Sequence, residues 1–377
     1  MPKITCQIID SVGKIPREDW DRLFGDITEG YEFYKVLEES RLEEFTFYYL
    51  ILYWDQRIIL IAPLFIADFN LDIAVEGRLE RVISCVRRFL PRFLTTRTLF
   101  CGSPFGEQGI IGIDKSMESD FEIAGEFFKN IDMFSRQKKT PLFMFKDFTQ
   151  ADLEFLELFR GYGLFRVNSF PCAIAELNFG SFEEYLKSLG HSTRKGLRRK
   201  IKEASGGGGV IIKAVDRADG AIDDIYRLYL NTHHGGTTKF ERLTKEFFLS
   251  VSRNMQPHTK FFLYYVDGEL GAFNLVFIYK DLFIDKFIGF DYDISNRSHL
   301  YFISWCNNAE WCIKNGVRSY TSGQTDYHAK IKLGSKLSRR YAYLRHRNNI
   351  ANILLKALVL ILKPENYDAD ILINKHA

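Results

Sequence analysis

Three apolar runs stand one after another in the second half of the chain: Lys260–Val266, Leu270–Tyr279 and Leu282–Phe290. Only Asp267-Gly268 and Lys280-Asp281 break them in the register of tight turns. Short runs rich in Phe, Tyr, Ile and Val, joined in this way, read as a meander of three antiparallel strands. Helical patterns stand on either side: Ala221–Thr232 and Thr244–Met255 before it, Leu300–Asn315 after it, the last stopped by Gly316. The class is therefore mixed α and β.

The rest of the second half extends the pattern. A helix over Phe182–Ala204 ends at Gly206–Gly209, a flexible connector. A strand over Val210–Val215 precedes the helix pair. Val317–Thr321 reads as a strand, Asp326–Leu333 as a short helix or turn, Arg340–Arg345 as a strand and Ile350–Leu362 as an apolar helix ending before Pro364. The first half repeats the order. It has a strand over Ile4–Ile9, helices near Arg17–Phe24 and Phe33–Ser40, and a hairpin of Phe47–Trp54 with Arg57–Ala67 around Asp55-Gln56. Strands near Thr98–Cys101 and Gly109–Ile113, a helix over Met117–Lys138, a strand over Leu142–Lys146, a helix over Gln150–Gly161 and strand segments over Leu164–Leu177 complete it. An arginine-rich helix, Arg78–Leu94, is inserted before the third meander strand. Its Leu79, Val82, Ile83, Val86, Phe89, Leu90 and Phe93 share one face, and Arg78, Arg81, Arg88 and Arg92 fall mostly on the other. Pro91 should kink or end it.

Length agrees with two copies: 377 residues suffice for two domains, each able to bury a core. The division predicted is 1–178 and 179–377. A 46% apolar composition excludes a disordered chain, and a net charge of +3 is too small for a wholesale nucleic-acid binder. Six cysteines without a CxxC pair make neither a disulfide scaffold nor a zinc site. The start, MPKITCQIID, does not read as a signal peptide, and no run reaches the ~18 apolar residues of a membrane span. The expectation is a cytoplasmic protein.

Several segments resemble the GNAT acyltransferase superfamily, and the tandem order resembles its Fem-type aminoacyl transferases and related N-acyltransferases. Ser181-Phe-Glu-Glu-Tyr-Leu with Ser192-Thr-Arg-Lys-Gly-Leu-Arg-Arg-Lys200 is similar to the basic stretch opening their second domain. Phe273-Asn-Leu275 with Asp285-Lys-Phe-Ile-Gly-Phe-Asp291 is similar to their central meander, and Tyr320-Thr-Ser-Gly-Gln324 with Lys330-Ile-Lys-Leu-Gly-Ser335 to their late strand and turn. The first half matches through Ser103-Pro-Phe and Phe145-Lys-Asp-Phe148. The resemblance implies two tandem GNAT-like domains, each a mixed, mainly antiparallel sheet flanked by helices, with the chemistry in the second. It implies transfer of an acyl group from acyl-CoA to a small-molecule amine acceptor, forming an amide. One departure stands out. Acetyl-CoA enzymes of this superfamily hold the pyrophosphate on a glycine-rich loop at a helix start. The matching segment here, Asp291–Ser298, has no glycine. An aminoacyl-tRNA donor is the alternative this suggests, and a non-catalytic binding protein on the same fold is another.

Three groups of residues are candidates. Arg194, Lys195, Arg198 and Arg199 form the basic helix, where like charges one turn apart repel unless a phosphate-bearing donor or acids elsewhere offset them. Asn274, Asp285 and Lys286 are polar interruptions of apolar strands, which cost free energy unless hydrogen-bonded. Acyl transfer to an amine needs a base, Asp285 or Asp291, and a donor for the oxyanion, Asn274, Lys286 or a backbone N–H. Strand alternation puts Asp285 and Lys286 on opposite faces. Gln324, Tyr327 and Lys330 follow the late strand and could protonate a leaving group or bind an acceptor; ordinary turn chemistry explains them equally. Tyr292, Tyr301, Tyr320 and Tyr327 are expected around one pocket. His233, His234 and His299 have no Cys or acid at ligand spacing, so no metal or permanently bound cofactor is expected. The apolar helices leave peripheral membrane contact open.

Overall fold

The computed structural model describes residues 4–25, 27–72, 75, 78–206, 209–235 and 242–361. In the first part of the chain lie β1 (Ile4–Ile9), α1 (Arg17–Phe24), α2 (Tyr31–Glu39), β2 (Thr46–Trp54), β3 (Arg57–Asn70) and α3 (Arg78–Arg87). β4 (Thr95–Cys101), β5 (Gly112–Ile113), α4 (Phe121–Gln137), β6 (Leu142–Phe148), α5 (Leu153–Glu157) and β7 (Phe165–Glu176) follow. Then come α6 (Phe182–Ser188), α7 (His191–Ala204), β8 (Val210–Val215), α8 (Ile222–Gly235), α9 (Lys245–Asn254), β9 (Thr259–Val266), β10 (Glu269–Tyr279) and β11 (Leu282–Phe290). The chain ends with α10 (Tyr292–Ser298), α11 (Leu300–Lys314), β12 (Ser319–Thr321), α12 (Tyr327–Lys332), β13 (Lys336–His346) and α13 (Asn349–Ile361).

The chain folds into two compact units, and neither is contiguous. The first contains residues 4–25, 43–171 and 339–361; the second contains 27–42 and 172–338. The division at 178/179 therefore misses two exchanged pieces. The segment holding α2 joins the second unit, and most of β13 with α13 joins the first. The physical cause is edge pairing and packing. Tyr341–His346 of β13 hydrogen-bond antiparallel to β6, and Phe33 of α2 packs edge-on against Phe277 of β10.

Within each unit the sheet follows one plan. In the first, β1, β2, β3 and β4 are successive antiparallel neighbours, and β6 adds to β4 in parallel. In the second, β8, β9, β10 and β11 repeat this, and β12 adds to β11 in parallel. The order expected from sequence is thus a repeat of topology. Its two copies differ in one respect. The β4–β6 pairing runs to Cys101, the last residue of β4, whereas the β11–β12 pairing stops at Ile284. Asp285–Phe290 continue with no pairing to β12, so only the second unit opens between its central strands.

The first core is α4 laid on the sheet. Asp120 caps α4 by accepting from Glu122 N at 2.7 Å and Ile123 N at 3.3 Å, and Ile123, Phe127 and Ile131 are fully buried. In the second unit, alternation sends Phe262 and Tyr264 to one face beneath α11, and Phe273 and Phe277 to the other, beneath α8, α9 and α2. A side chain at Gly289 of β11 would put Cβ 2.6 Å from the backbone of Leu228, so glycine there lets α8 approach the strand.

Two helices differ from the sequence expectation. The helix expected over Phe182–Ala204 breaks at Leu189-Gly190, where Leu189 turns extended (ψ 153°) and its side chain packs in the core. The helix expected to reach Leu94 ends at Arg87, because Pro91 has no N–H to continue it and its ring would clash with the carbonyl of residue 87. The connector Gly206–Gly209 lies partly, and the end of the helix at Leu362 wholly, outside the described residues. Among the described residues no helix is long and apolar enough to cross a membrane.

Candidate active site

Where β11 leaves β12, it also bulges. Leu275 of β10 faces Phe287, and Val276 faces Asp285, which leaves Lys286 as the extra residue. The bulge sets Asp285 and Lys286 among different partners.

Asp285 sits in a polar network under α11. Its Oδ1 accepts from Asn274 Nδ2 at 2.5 Å. Its Oδ2 accepts from the Tyr320 hydroxyl at 3.0 Å and from Asn308 Nδ2 at 3.3 Å. Asn308 Nδ2 also donates to Asn274 Oδ1 at 2.8 Å. Asn274, Asn308 and Tyr320 are completely buried while Asp285 is partly exposed, so three buried donors hold one accessible carboxylate. Burial, reinforced by the Asp285 charge, pushes the Tyr320 phenol well above its usual range, so it stays protonated and donates.

Lys286 points into the opposite core. Its ammonium pairs with the Glu29 carboxylate and lies 5.5 Å from the Phe33 ring centre. The lysine side chain is 1% exposed, so this is a buried ion pair. Glu29 lies on the segment that leads into α2.

Asp291 caps α10: its Oδ1 accepts from Ile294 N at 3.2 Å, and its Oδ2 lies 3.6 Å from Arg227 Nη1. The segment read as a glycine-free substitute for a pyrophosphate loop is thus a short helix whose first turn is capped by its own carboxylate. His299, left-handed at φ 55°, separates α10 from α11. Tyr292 is exposed on α10. Tyr301 is half-buried with its hydroxyl out of solvent, and desolvation together with the nearby Asp326 carboxylate pushes its phenol far above the usual range. Tyr327 is buried at the start of α12, and the Lys330 ammonium donates to the Ser322 carbonyl. Gln324 is half-buried in the turn between β12 and α12. Tyr292 and Tyr301 both pack against Phe290, Tyr301 also lies by Asp326 at the start of α12, and Tyr320 sits inside the network.

The basic helix is α7, and much of its charge is matched within the unit. Arg198 pairs with Glu183, Arg199 Nε lies 3.9 Å from Glu203, and Arg194 Nη1 donates to the carbonyls of Lys187 at 3.0 Å and Leu189 at 3.2 Å, closing the end of α6. Lys195 makes no ion pair among the described residues. The sequence offered no acid within the run; the acids come from α6 and from the last turn of α7 itself.

Three side chains of this region escaped the sequence reading. Asn307 and Asn308 stand side by side in the apolar helix Leu300–Lys314, and both reach the sheet: Asn307 Nδ2 donates to the Tyr264 hydroxyl at 3.2 Å. A polar pair on a core-facing helix was a legible signal. Glu29 had none, being 257 residues from its partner.

Residues 191–330 match the family model described as an acetyltransferase (GNAT) domain. No curated protein matches the chain. Among solved structures, FemX superposes with a TM-score of 0.58 at 10% identity, covering 94% of this chain and 100% of that one. The C-terminal domain of a protein assigned as a lysylphosphatidylglycerol synthetase from Agrobacterium fabrum gives 0.53 at 13%, covering 92% and 96%. A tandem GNAT protein from the clavulanic acid biosynthesis pathway gives 0.53 at 10%, covering 92% and 99%. Residues 191–330 are accordingly a GNAT-type acyltransferase domain, and the chain as a whole has the tandem fold of FemX and of the clavulanic acid pathway protein.

Proposed function

We propose that the second unit transfers an acyl group from acyl-CoA to the nitrogen of a small amine, forming an amide. The observation that carries this is the Asp285 carboxylate, fixed by Asn274, Asn308 and Tyr320 at the point where β11 and β12 separate. An amine reaching that opening arrives as an ammonium and must lose a proton before it attacks a carbonyl. A carboxylate held there attracts the cation and accepts the proton. Donors locked by burial cost no reorganisation as charge moves. Lys195 on α7 and the turn with Gln324 and Lys330 are the groups assigned to donor phosphates and to the acceptor.

A second reading, an aminoacyl-tRNA donor, is favoured by the helix α10. The Asp291 carboxylate already accepts from Ile294 N in the first turn of that helix, which places a negative charge where a pyrophosphate would bind.

Thermal unfolding with acetyl-CoA, longer acyl-CoAs and aminoacyl-tRNA separates these readings. A donor at a hundred times its dissociation constant adds about 2.7 kcal/mol of stability. Stabilisation by acyl-CoA supports the first reading. Stabilisation by aminoacyl-tRNA alone moves the function to the second, and by neither to a binding protein. Asp285→Asn should then lower kcat by about 10²–10⁴ and leave donor binding intact.

A further inference from the structure

Residues 78–93, inserted between β3 and β4, hold five arginines and one acid, Glu80. One arginine is used internally. Arg87 Nη2 donates to Asp72 Oδ1 at 2.5 Å and to Asn70 Oδ1 at 3.3 Å, and its Nε donates to the Phe93 carbonyl at 3.0 Å. This clamp ties the returning strand to the end of β3 and holds the tip between them in place. On that tip Phe89 is 82% exposed, Leu90 60% and Val82 57%. Arg81, Arg88 and Arg92 are exposed beside them, and Arg92 has only a 4.0 Å approach to Asp68.

Large apolar side chains clustered on a surface mark a contact face. Cations among them narrow the chemistry. A nucleic acid offers phosphates without an apolar layer, and a protein groove offers an apolar layer without a plane of anions. An anionic bilayer presents both, phosphates at its surface and hydrocarbon just beneath. Arginine stems are long enough to leave the guanidinium at the phosphates while neighbouring rings reach lower.

We propose that this insertion docks the protein on anionic membranes, with Phe89 and Leu90 entering the interface and Arg81, Arg88 and Arg92 meeting lipid phosphates. The inference is independent of the acyl donor, because it concerns the first unit only.

Sedimentation with vesicles of phosphatidylcholine, alone or mixed with phosphatidylglycerol, tests it. The unmodified protein should pellet with the mixed vesicles, stay in solution with the neutral ones, and be released at high salt. Arg88→Glu with Arg92→Glu should weaken partition by about tenfold or more. Phe89→Ser with Leu90→Ser should weaken it comparably without lowering the melting temperature, since both side chains are already in water. Ile353→Ser with Leu354→Ser on α13, also exposed and apolar, serves as the control and should bind as the unmodified protein does. Absence of pelleting, equal pelleting with neutral vesicles, or equal loss in the α13 control overturns the proposal. The salt dependence of the unmodified protein reads it without any variant.

Discussion

Tyr320 makes a sharp test of the site, because its hydroxyl bonds both Asp285 and Asn308 and can be removed with little change of shape. Tyr320→Phe deletes the 3.0 Å bond to Asp285 and leaves Asn308 without that partner. The expected cost is about 1–3 kcal/mol of stability, seen in denaturant melts, with kcat reduced more than KM. An unchanged kcat would detach the network from the chemistry. Cysteine chemistry is a second matter settled residue by residue. Burial pushes the Cys6 and Cys306 thiols up to about 12, and it raises Cys101 and Cys312 as well. Only Cys85 is exposed among the six. Native alkylation near neutral pH should therefore modify Cys85 first, as peptide mapping would report, and blocking it should leave turnover unchanged. Sequence reading found Asn274 and Asp285 because polar groups inside apolar strands are conspicuous. It missed Glu29 because nothing local distinguishes a glutamate that will bury itself against a distant lysine.

Elements carry the next set of constraints. Gly289 lets α8 lie on β11, and Gly289→Ala would place Cβ 2.4 Å from the Phe273 ring as well as against the helix backbone. Backbone cannot swing aside like a side chain, so the expected loss is about 3 kcal/mol in a denaturant melt. Asp219 ties the start of α8 to α9. Its carboxylate accepts from Arg253 Nε at 2.7 Å and from the Ser252 hydroxyl at 3.2 Å, and Arg217 pairs with it too. Hydrogen bonds from Arg253 and then Arg217 hold the carboxyl below its usual range. A depressed folded value means the unfolded chain binds the proton more readily, so the contribution is full above about pH 5 and fades as pH falls through about 4 and below. The melting temperatures of the protein and of Asp219→Asn should differ at neutral pH and converge in acid; a constant gap would refute the linkage. Strand and helix order was legible along the chain because turns, glycines and apolar periods are local. The Leu189-Gly190 break was not, since it depends on Leu189 finding a place in the core.

At the scale of the whole molecule, the exchanged segments decide what can fold alone. Residues 179–377 look complete on the linear map, yet their unit also needs residues 27–42 and 172–178, and residues 339–361 belong to the other unit. Without residues 27–42, Lys286 loses the Glu29 carboxylate, and the Phe277 ring beside it loses Phe33. Thr244 also loses its 2.6 Å hydrogen bond to the Ser40 carbonyl, at the start of α9. Breaking a buried pair by removing one partner costs about 3–5 kcal/mol, a large share of any domain's stability. A fragment of residues 172–338 should therefore lack a cooperative melt by circular dichroism. A peptide of residues 27–42 added in trans should restore one, because it returns both the carboxylate and the aromatic cover. In the full chain, Glu29→Gln should lower the melting temperature, while Glu29→Gln with Lys286→Met should recover much of the loss, since no buried charge then lacks its partner. A fragment that melts cooperatively without the peptide would mean that the contiguous division is the folding division after all. The repeated order of elements would then describe two independent domains in place of two interleaved ones.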